Sequence, residues 1–151
     1  MNLMEFLASQ GVLVAVGVAL IVALIVNEWL LSSRSGPRLS PAAAVRMIND
    51  KPTRIVDLRS AADFKRGHIM GSDNVPPAKW AQVQEELAKS PDKPLLLVDA
   101  LGAHAASAAR KLRSAGHAAV FPLAGGLNAW EGAGMPLTTQ ATNSKAKKRS
   151  S

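Results

Sequence analysis

The 151-residue chain has room for one ordinary domain and additional segments, and its lack of cysteine excludes disulfides, thiolate metal ligation and a cysteine nucleophile of its own. Its three histidines, His68, His104 and His117, have no metal-ligand spacing, so we expect no metal and no cofactor. The net charge of +7 comes mostly from the flanks of residues 40–137, and the basic tail contains no aromatic residue, so we expect no nucleic-acid partner.

The first predicted element is a transmembrane helix over residues 11–31, which follows a short N-terminal segment, residues 1–10. Residues 11–26, GVLVAVGVALIVALIV, contain no polar side chain, and about 20 apolar residues suffice to cross a bilayer. A cleaved signal peptide would need a basic N-terminal region, which the first ten residues lack. A buried helix of a soluble core would not be apolar on every face. We therefore predict a retained membrane anchor.

Basic residues follow this segment and none precedes it. Arg34, Arg38 and Arg46 lie on its C-terminal side, so the positive-inside rule predicts an external N-terminus and a cytoplasmic domain. Residues 32–39, SSRSGPRL, form a predicted linker. Basic groups on both flanks of the domain are expected to contact anionic lipid, each contributing up to about 1 kcal/mol. They are Arg34, Arg38, Lys145, Lys147, Lys148 and Arg149.

Residues 40–137 alternate predicted helices with short apolar strands. Ser40 and Pro41 begin a helix, TRIVDLR is a strand, and Ser60 begins a short helix that stops at Gly67. GSDNVPP then gives a brief extended piece, AKWAQVQEELAKS an amphipathic helix, and KPLLLVD a buried strand. Residues 103–115 form the next helix, AAVFPL the last strand, and GGLNAWEGAG a helical turn bounded by glycine.

This pattern predicts the fold class. Strands that are apolar throughout and alternate with helices indicate an α/β domain with a central parallel sheet that helices cover on both faces. After Leu137 the chain is polar and basic, and we predict that residues 138–151 are a disordered tail.

Four separated motifs in residues 40–137 resemble the rhodanese-like family, whose fold is that of the sulfurtransferases. They are IVDLR at 55–59, DFKRGHIMGSDNVP at 63–76, the strand–loop–helix at 95–112, and LAGGLNAW at 123–130 with GMP at 134–136. With one predicted span in front, the chain is similar to small membrane-anchored rhodanese-like proteins of bacteria. That similarity implies a single-pass protein of the inner (plasma) membrane.

The resemblance also locates the position that carries the chemistry in active members of the family. There a cysteine at the end of the central strand carries a persulfide on a loop of backbone amides, and basic loop residues often hold the anionic substrate. Here that position is Asp99, and the loop ALGAH contains no Lys or Arg. We expect the Asp99 carboxylate to accept N–H bonds from residues 101–104 and so to fill the site. The degenerate loop, with no catalytic residue, comprises Asp99, Ala100, Leu101, Gly102, Ala103 and His104.

The other polar motif residues are interpreted as structural. Asp99, His104 and Ser107 do not form a hydrolytic trio, because one loop and helix give them neither the mutual reach nor a separate oxyanion hole. We expect an ion pair or a loop brace from Asp57 and Arg59, and either a positive φ or a close backbone approach at Gly125 and Gly126. The same interpretation assigns structural roles to Gly67, His68, Trp80 and Trp130.

These observations favour a catalytically silent, membrane-tethered module that binds another protein, whose identity the sequence does not give. Two alternatives stay open. One is a sulfurtransferase-related enzyme or sulfur relay that depends on the cysteine of a partner, and the other is a sensor of a small metabolite.

Overall fold

The computed structural model describes residues 2–34 and 36–140, in two units that divide between Gly36 and Pro37. Most of the predicted tail lies outside these residues, including four of the side chains expected to contact lipid, Lys145, Lys147, Lys148 and Arg149.

The N-terminal unit consists of two helices, α1 (Leu3–Ser9) and α2 (Gly11–Arg34). The stretch Gly11–Leu30 of α2 has a mean hydropathy of 2.4, and none of it is buried. At 1.5 Å per residue its 20 residues measure about 30 Å, so α2 is long and apolar enough to cross a bilayer. The apolar helix predicted over residues 11–31 is therefore present.

The domain that follows alternates helices and strands. Its elements are α3 (Pro41–Asp50), β1 (Arg54–Asp57), α4 (Ala61–Arg66), β2 (Ser72–Asn74), α5 (Pro77–Ala88), β3 (Leu95–Val98), α6 (Ala103–Ser114), β4 (Val120–Pro122) and α7 (Gly126–Gly132). The helix starts predicted at Ser40 and Ser60 are confirmed, because each hydroxyl accepts a bond from the amide three residues later. Gly67 ends α4, as predicted.

The four strands form one parallel sheet in the order β2-β1-β3-β4. Asp57 pairs with Asn74 on one side and with Val98 on the other, so the carboxyl ends of β1, β2 and β3 are level. The predicted α/β class and parallel sheet are confirmed. The loops that leave these strand ends lie together at one edge of the sheet.

Helices cover both faces of the sheet. One buried cluster joins Val56, Leu95 and Leu97 to Leu87 of α5 and Leu112 of α6. The other joins the alternate strand residues to α3 and α7, through Ile55, Leu96, Val98, Ala44, Leu127 and Trp130. Strand side chains alternate between the two faces, so neighbouring residues of one apolar strand enter different clusters. Burial of each such Leu or Val contributes about 1.5–3 kcal/mol.

Two predicted boundaries are corrected by the structure. Residues 32–34 extend α2, and the Leu39 amide donates to the carbonyl of Pro122 (3.0 Å), so the predicted linker is shorter at both ends. At the other end, Thr138 and His68 exchange two backbone hydrogen bonds, of 2.8 and 2.9 Å. Residues 138–140 therefore belong to the domain, although their polar sequence predicts disorder, because their backbone groups pair with a distant segment.

His117 follows α6 and is almost completely buried, and its Nδ1 atom has no hydrogen-bond partner among the described residues. Burial lowers the pKa of this imidazole below its ordinary value of 6.5, and a backbone hydrogen bond and the Asp92 charge only partly oppose that shift. The folded domain therefore disfavours the protonated ring, which the unfolded chain accepts.

We expect the domain to lose stability as the pH falls below about 6.5, because there the unfolded chain binds a proton that the folded chain excludes. The stabilising contribution of the neutral His117 ring is complete above that pH. When thermal unfolding is measured at pH values from above 6.5 to about one unit below it, the Tm should fall as the pH falls. His117→Gln should reduce this dependence of the Tm on pH. His104 is exposed, so His104→Gln should retain the slope. An unchanged slope in His117→Gln would contradict this assignment.

Candidate functional site

The loop between β3 and α6 is closed by the side chain of Asp99. This carboxylate is 5% exposed, and its Oδ1 accepts a hydrogen bond from the Gly102 amide (2.7 Å). Its Oδ2 accepts a bond from the His104 amide (2.9 Å). These amides lie at the N-terminus of α6, Gly102 as its N-cap residue and His104 in its first turn, where the helix dipole also favours negative charge. The carboxylate thus accepts N–H bonds from its own loop, in the arrangement that the sequence predicts.

The backbone of the same loop is held by the first turn of α7. The amides of Leu127 and Asn128 donate to the carbonyls of Asp99 (2.9 Å) and Ala100 (3.1 Å). This approach is possible because Gly126 has no side chain, since a Cβ there would lie 2.5 Å from the Asp99 carbonyl oxygen. Gly126 also has a φ of 59°. Both reasons that the sequence left open for this glycine, a positive φ and a close backbone approach, therefore apply.

Gly125 and Gly102 complete this backbone contact. Both have a positive φ, and a Cβ on Gly102 would lie 3.0 Å from the Gly125 nitrogen. A side chain at either position would therefore meet both strain and crowding. The loop therefore approaches the glycine turn backbone to backbone at Gly102, whereas a Cβ on Gly125 would lie 2.6 Å from the Ala129 Cβ within α7.

At the neighbouring strand end, Asp57 and Arg59 form a buried ion pair. Arg59 Nε and Nη2 donate to the Asp57 carboxylate, the shortest bond being 2.7 Å, and Asp57 is 1% exposed. Arg59 Nη2 also donates to the Gly67 carbonyl (2.7 Å). The pair therefore braces the loop after β1 and the end of α4, as the structural interpretation predicts. Sequence reasoning missed Asn74, whose Nδ2 donates to the carbonyl of Arg59 (2.9 Å).

His68 has structural contacts on both ring nitrogens. Its ring stacks on Phe64 with centroids 3.7 Å apart, and Nδ1 lies 2.7 Å from the Phe64 carbonyl. Nε2 lies 3.0 Å from the Gln140 carbonyl. The ring is almost completely buried, so it joins α4 to the C-terminal end of the domain. Trp130 is likewise buried, and its Nε1 donates to the Pro136 carbonyl (3.1 Å).

The remaining loop residues face outward. Leu101 is 67% exposed, and Ala103 and His104 are also exposed, whereas Gly102 is buried. The His104 and Ser107 side chains line a cavity between α5 and α6, while both Asp99 oxygens bind backbone amides. Asp99 is therefore not arranged with His104 and Ser107 as a triad. Within residues 2–34 and 36–140 no three His, Asp or Glu side chains come together as metal ligands.

Comparisons with known proteins show the family and fold that this chain resembles. The family profile described as Rhodanese-like domain matches residues 40–133. The uncharacterized Escherichia coli K12 protein YibN is 35% identical over 137 residues, which is 90% of this chain and 96% of YibN. The thiosulfate sulfurtransferase GlpE of Pseudoalteromonas translucida is 30% identical over 95 residues, which is 63% of this chain and 89% of GlpE.

Solved structures show the same fold. The solution structure of a rhodanese-like domain from Anabaena is 25% identical, with a TM-score of 0.59, over 69% of this chain and 80% of that domain. A rhodanese-related protein from Thermoplasma volcanium is 21% identical, with a TM-score of 0.58, over 69% of this chain and 99% of that protein.

Proposed function

The chain belongs to the rhodanese-like domain family, and we propose that it is a catalytically inactive, membrane-anchored member that binds another protein at the cytoplasmic face of the inner membrane. The chemistry of the β3–α6 loop and the apolar N-terminal segment with its flanking charges support this function.

The occupancy of the loop amides by Asp99 is the observation that carries the proposal. A carboxylate oxygen cannot cycle through a persulfide, and the chain contains no cysteine that could take over this step. An incoming anion such as thiosulfate would meet a negative charge and two amides that are already bonded. At about 4 Å, two unit charges of like sign repel by about 4 kcal/mol at an effective dielectric constant of 20. The site therefore disfavours the substrate of a sulfurtransferase.

The two other functions remain distinguishable from this one. Similarity to GlpE favours a sulfur-related role, which in this chain would require a cysteine from a partner. A metabolite sensor needs a pocket, and ordinary small-molecule pockets measure about 300–1,000 Å³. The cavity beside the loop measures only about 150 Å³, and the hollow of about 600 Å³ that continues from it is a shallow surface feature open to solvent. A partner protein, whether it supplies a cysteine or is simply bound, is therefore favoured over a free metabolite.

Flanking charge supports the proposed orientation. Arg34, Arg38 and Arg46 follow the apolar segment, whereas residues 1–10 contain no Lys or Arg. The domain is accordingly assigned to the cytoplasm and the N-terminus to the outside. The basic flanks would add attraction to an anionic leaflet, of up to about 1 kcal/mol per residue near the surface.

Cross-linking from each side of the membrane tests this proposal. An amine-reactive cross-linker that cannot cross bilayers is added either to inverted inner-membrane vesicles or to intact spheroplasts, both containing the full chain. We expect a discrete covalent adduct with another protein only in the inverted vesicles, because there the lysines of the domain face the reagent. Adducts formed only in spheroplasts would refute the orientation, and no adduct in either sample would refute the interaction module.

A further inference from the structure

A groove between α5 and α6 lies beside the Asp99 loop. Its deeper part is a cavity of about 150 Å³, and a more open hollow continues along the same two helices, sharing Ser107 and Lys111 with the cavity. The cavity is lined mainly by Leu58, Pro77, Trp80, His104, Ser107 and Lys111. The three α6 residues have the i, i+3, i+7 spacing that places side chains on one helix face. Cavity and hollow together are the α5–α6 groove.

The cavity has the size of one apolar side chain. A cavity of about 150 Å³ can hold a benzene ring, whereas most small-molecule pockets are at least about twice as large. Its apolar walls include Leu58 and Trp80, both partly buried against the core of the domain. Leu101 lies three residues before His104 and is 67% exposed, which adds apolar surface at this end of α6. The cavity therefore suits a Phe, Leu or Met side chain of a partner.

The groove is also basic. Arg110 and Lys111 line it, and no acidic side chain lines the cavity or the hollow within residues 2–34 and 36–140. Arg54, Arg59 and Arg66 each pair with a carboxylate, but neither Arg110 nor Lys111 has such a partner in the described part of the chain. An occupant with carboxylates beside an apolar side chain would complement both features.

We infer that the α5–α6 groove binds an acidic segment of a partner protein, with one aromatic or large aliphatic side chain in the cavity and carboxylates beside Arg110 and Lys111. The inference rests on the proposed interaction function and names its surface and its chemistry. Single-stranded nucleic acid would stack on several aromatic residues, and the described walls of the groove contain only two aromatic rings, those of Trp80 and His104. A flat lipid surface would leave the recessed cavity empty.

Peptide binding to the full chain tests this inference. The purified chain is placed in nanodiscs of neutral lipid, and the probe is a fluorescent peptide with one central Phe between runs of Glu. We expect saturable binding by anisotropy that weakens as salt is added. Replacing the peptide Phe with Ala should weaken binding about tenfold to a hundredfold, because the cavity then loses its occupant.

Two variants of the chain locate the binding. Lys111→Glu reverses an exposed charge in the groove and should weaken binding about fivefold or more. Ser107→Phe should fill the cavity and weaken binding about tenfold. Lys89→Glu makes the same charge change at an exposed position outside the groove, and it should leave affinity within about twofold. Lys111→Glu leaves the core intact, so the test does not depend on the folding of Ser107→Phe.

Three results would overturn the inference. The first is no binding of the peptide, and the second is equal weakening by Lys111→Glu and Lys89→Glu. The third is loss of peptide binding when anionic lipid replaces neutral lipid in the disc, combined with restored peptide binding in Lys111→Glu. Anionic lipid would then be the occupant of the groove. If any of these occurs while the cross-linked adduct persists, only the groove assignment fails. If the adduct itself is absent, the proposed function fails.

Discussion

Replacing Gly126 with alanine is expected to destabilise the domain by about 3 kcal/mol, one of two large structural effects that this chain offers for test. The new Cβ would lie 2.5 Å from the Asp99 carbonyl oxygen and from the Ala100 carbonyl carbon, and its residue would keep a φ of 59°. The loop cannot yield without breaking its bonds to the amides of Leu127 and Asn128. The energetic costs of crowding and of the left-handed conformation therefore add together.

Gly132 supplies a matched control for this substitution, since it lies in the same helix, α7. No atom lies within 4 Å of a Cβ built there, and its φ is not in the left-handed range. Gly132→Ala should change the free energy of unfolding by no more than about 1 kcal/mol, in either direction. Chemical denaturation of both variants gives the comparison. If Gly126→Ala and Gly132→Ala had equal free energies of unfolding, the close contact between the β3–α6 loop and the first turn of α7 would be contradicted.

Arg59→Met is expected to cost about 3–5 kcal/mol, because it removes the one cation that pairs, among the described residues, with a carboxylate that is 1% exposed. Asp57 would keep its bond from the Arg59 main-chain amide (3.0 Å) but lose the side-chain bonds that satisfy its charge. The Gly67 carbonyl would lose its Arg59 donor as well. Loss of a buried partner is costly because the remaining charge stays out of water.

A second arginine–aspartate pair in the same region provides the control. Arg66 pairs with Asp63 across one turn of α4, but its side chain is 79% exposed. Arg66→Met should therefore cost less than about 1 kcal/mol. Both variants are compared by denaturant unfolding of the full chain. If the two substitutions had similar effects, the Asp57–Arg59 pair would not be a brace of the fold.

The sequence predicts those parts of the structure in which the interacting residues are close along the chain. Ser40 and Ser60 cap helices three residues away, Asp57 pairs with Arg59, and Asp99 binds the amides of Gly102 and His104. In each case the geometry of one turn or loop decides the contact. The hydrogen bonds of the Asp99 carboxylate after β3 could therefore be anticipated without knowledge of the rest of the fold.

Contacts between distant segments could not be predicted in this way. The polar residues after Leu137 carry no apolar pattern, yet Thr138 pairs with His68 and Gln140 contacts its ring. Leu39 joins the chain near β4 through bonds to Pro122 and Ala124, and its local sequence is typical of a linker. The α5–α6 groove likewise depends on how two amphipathic helices pack. Such pairing is decided by the assembled sheet and helices, and local composition does not encode it.

Thiocyanate formation from thiosulfate and cyanide is the most direct test of the central claim, that the Asp99 carboxylate occupies the amide site and leaves the domain without sulfur chemistry. The assay compares the purified full chain with Asp99→Ala, prepared in parallel as the measure of contaminating activity. We expect the two proteins to form thiocyanate at the same background rate. Turnover by the unmodified chain that clearly exceeds that of Asp99→Ala would contradict this account.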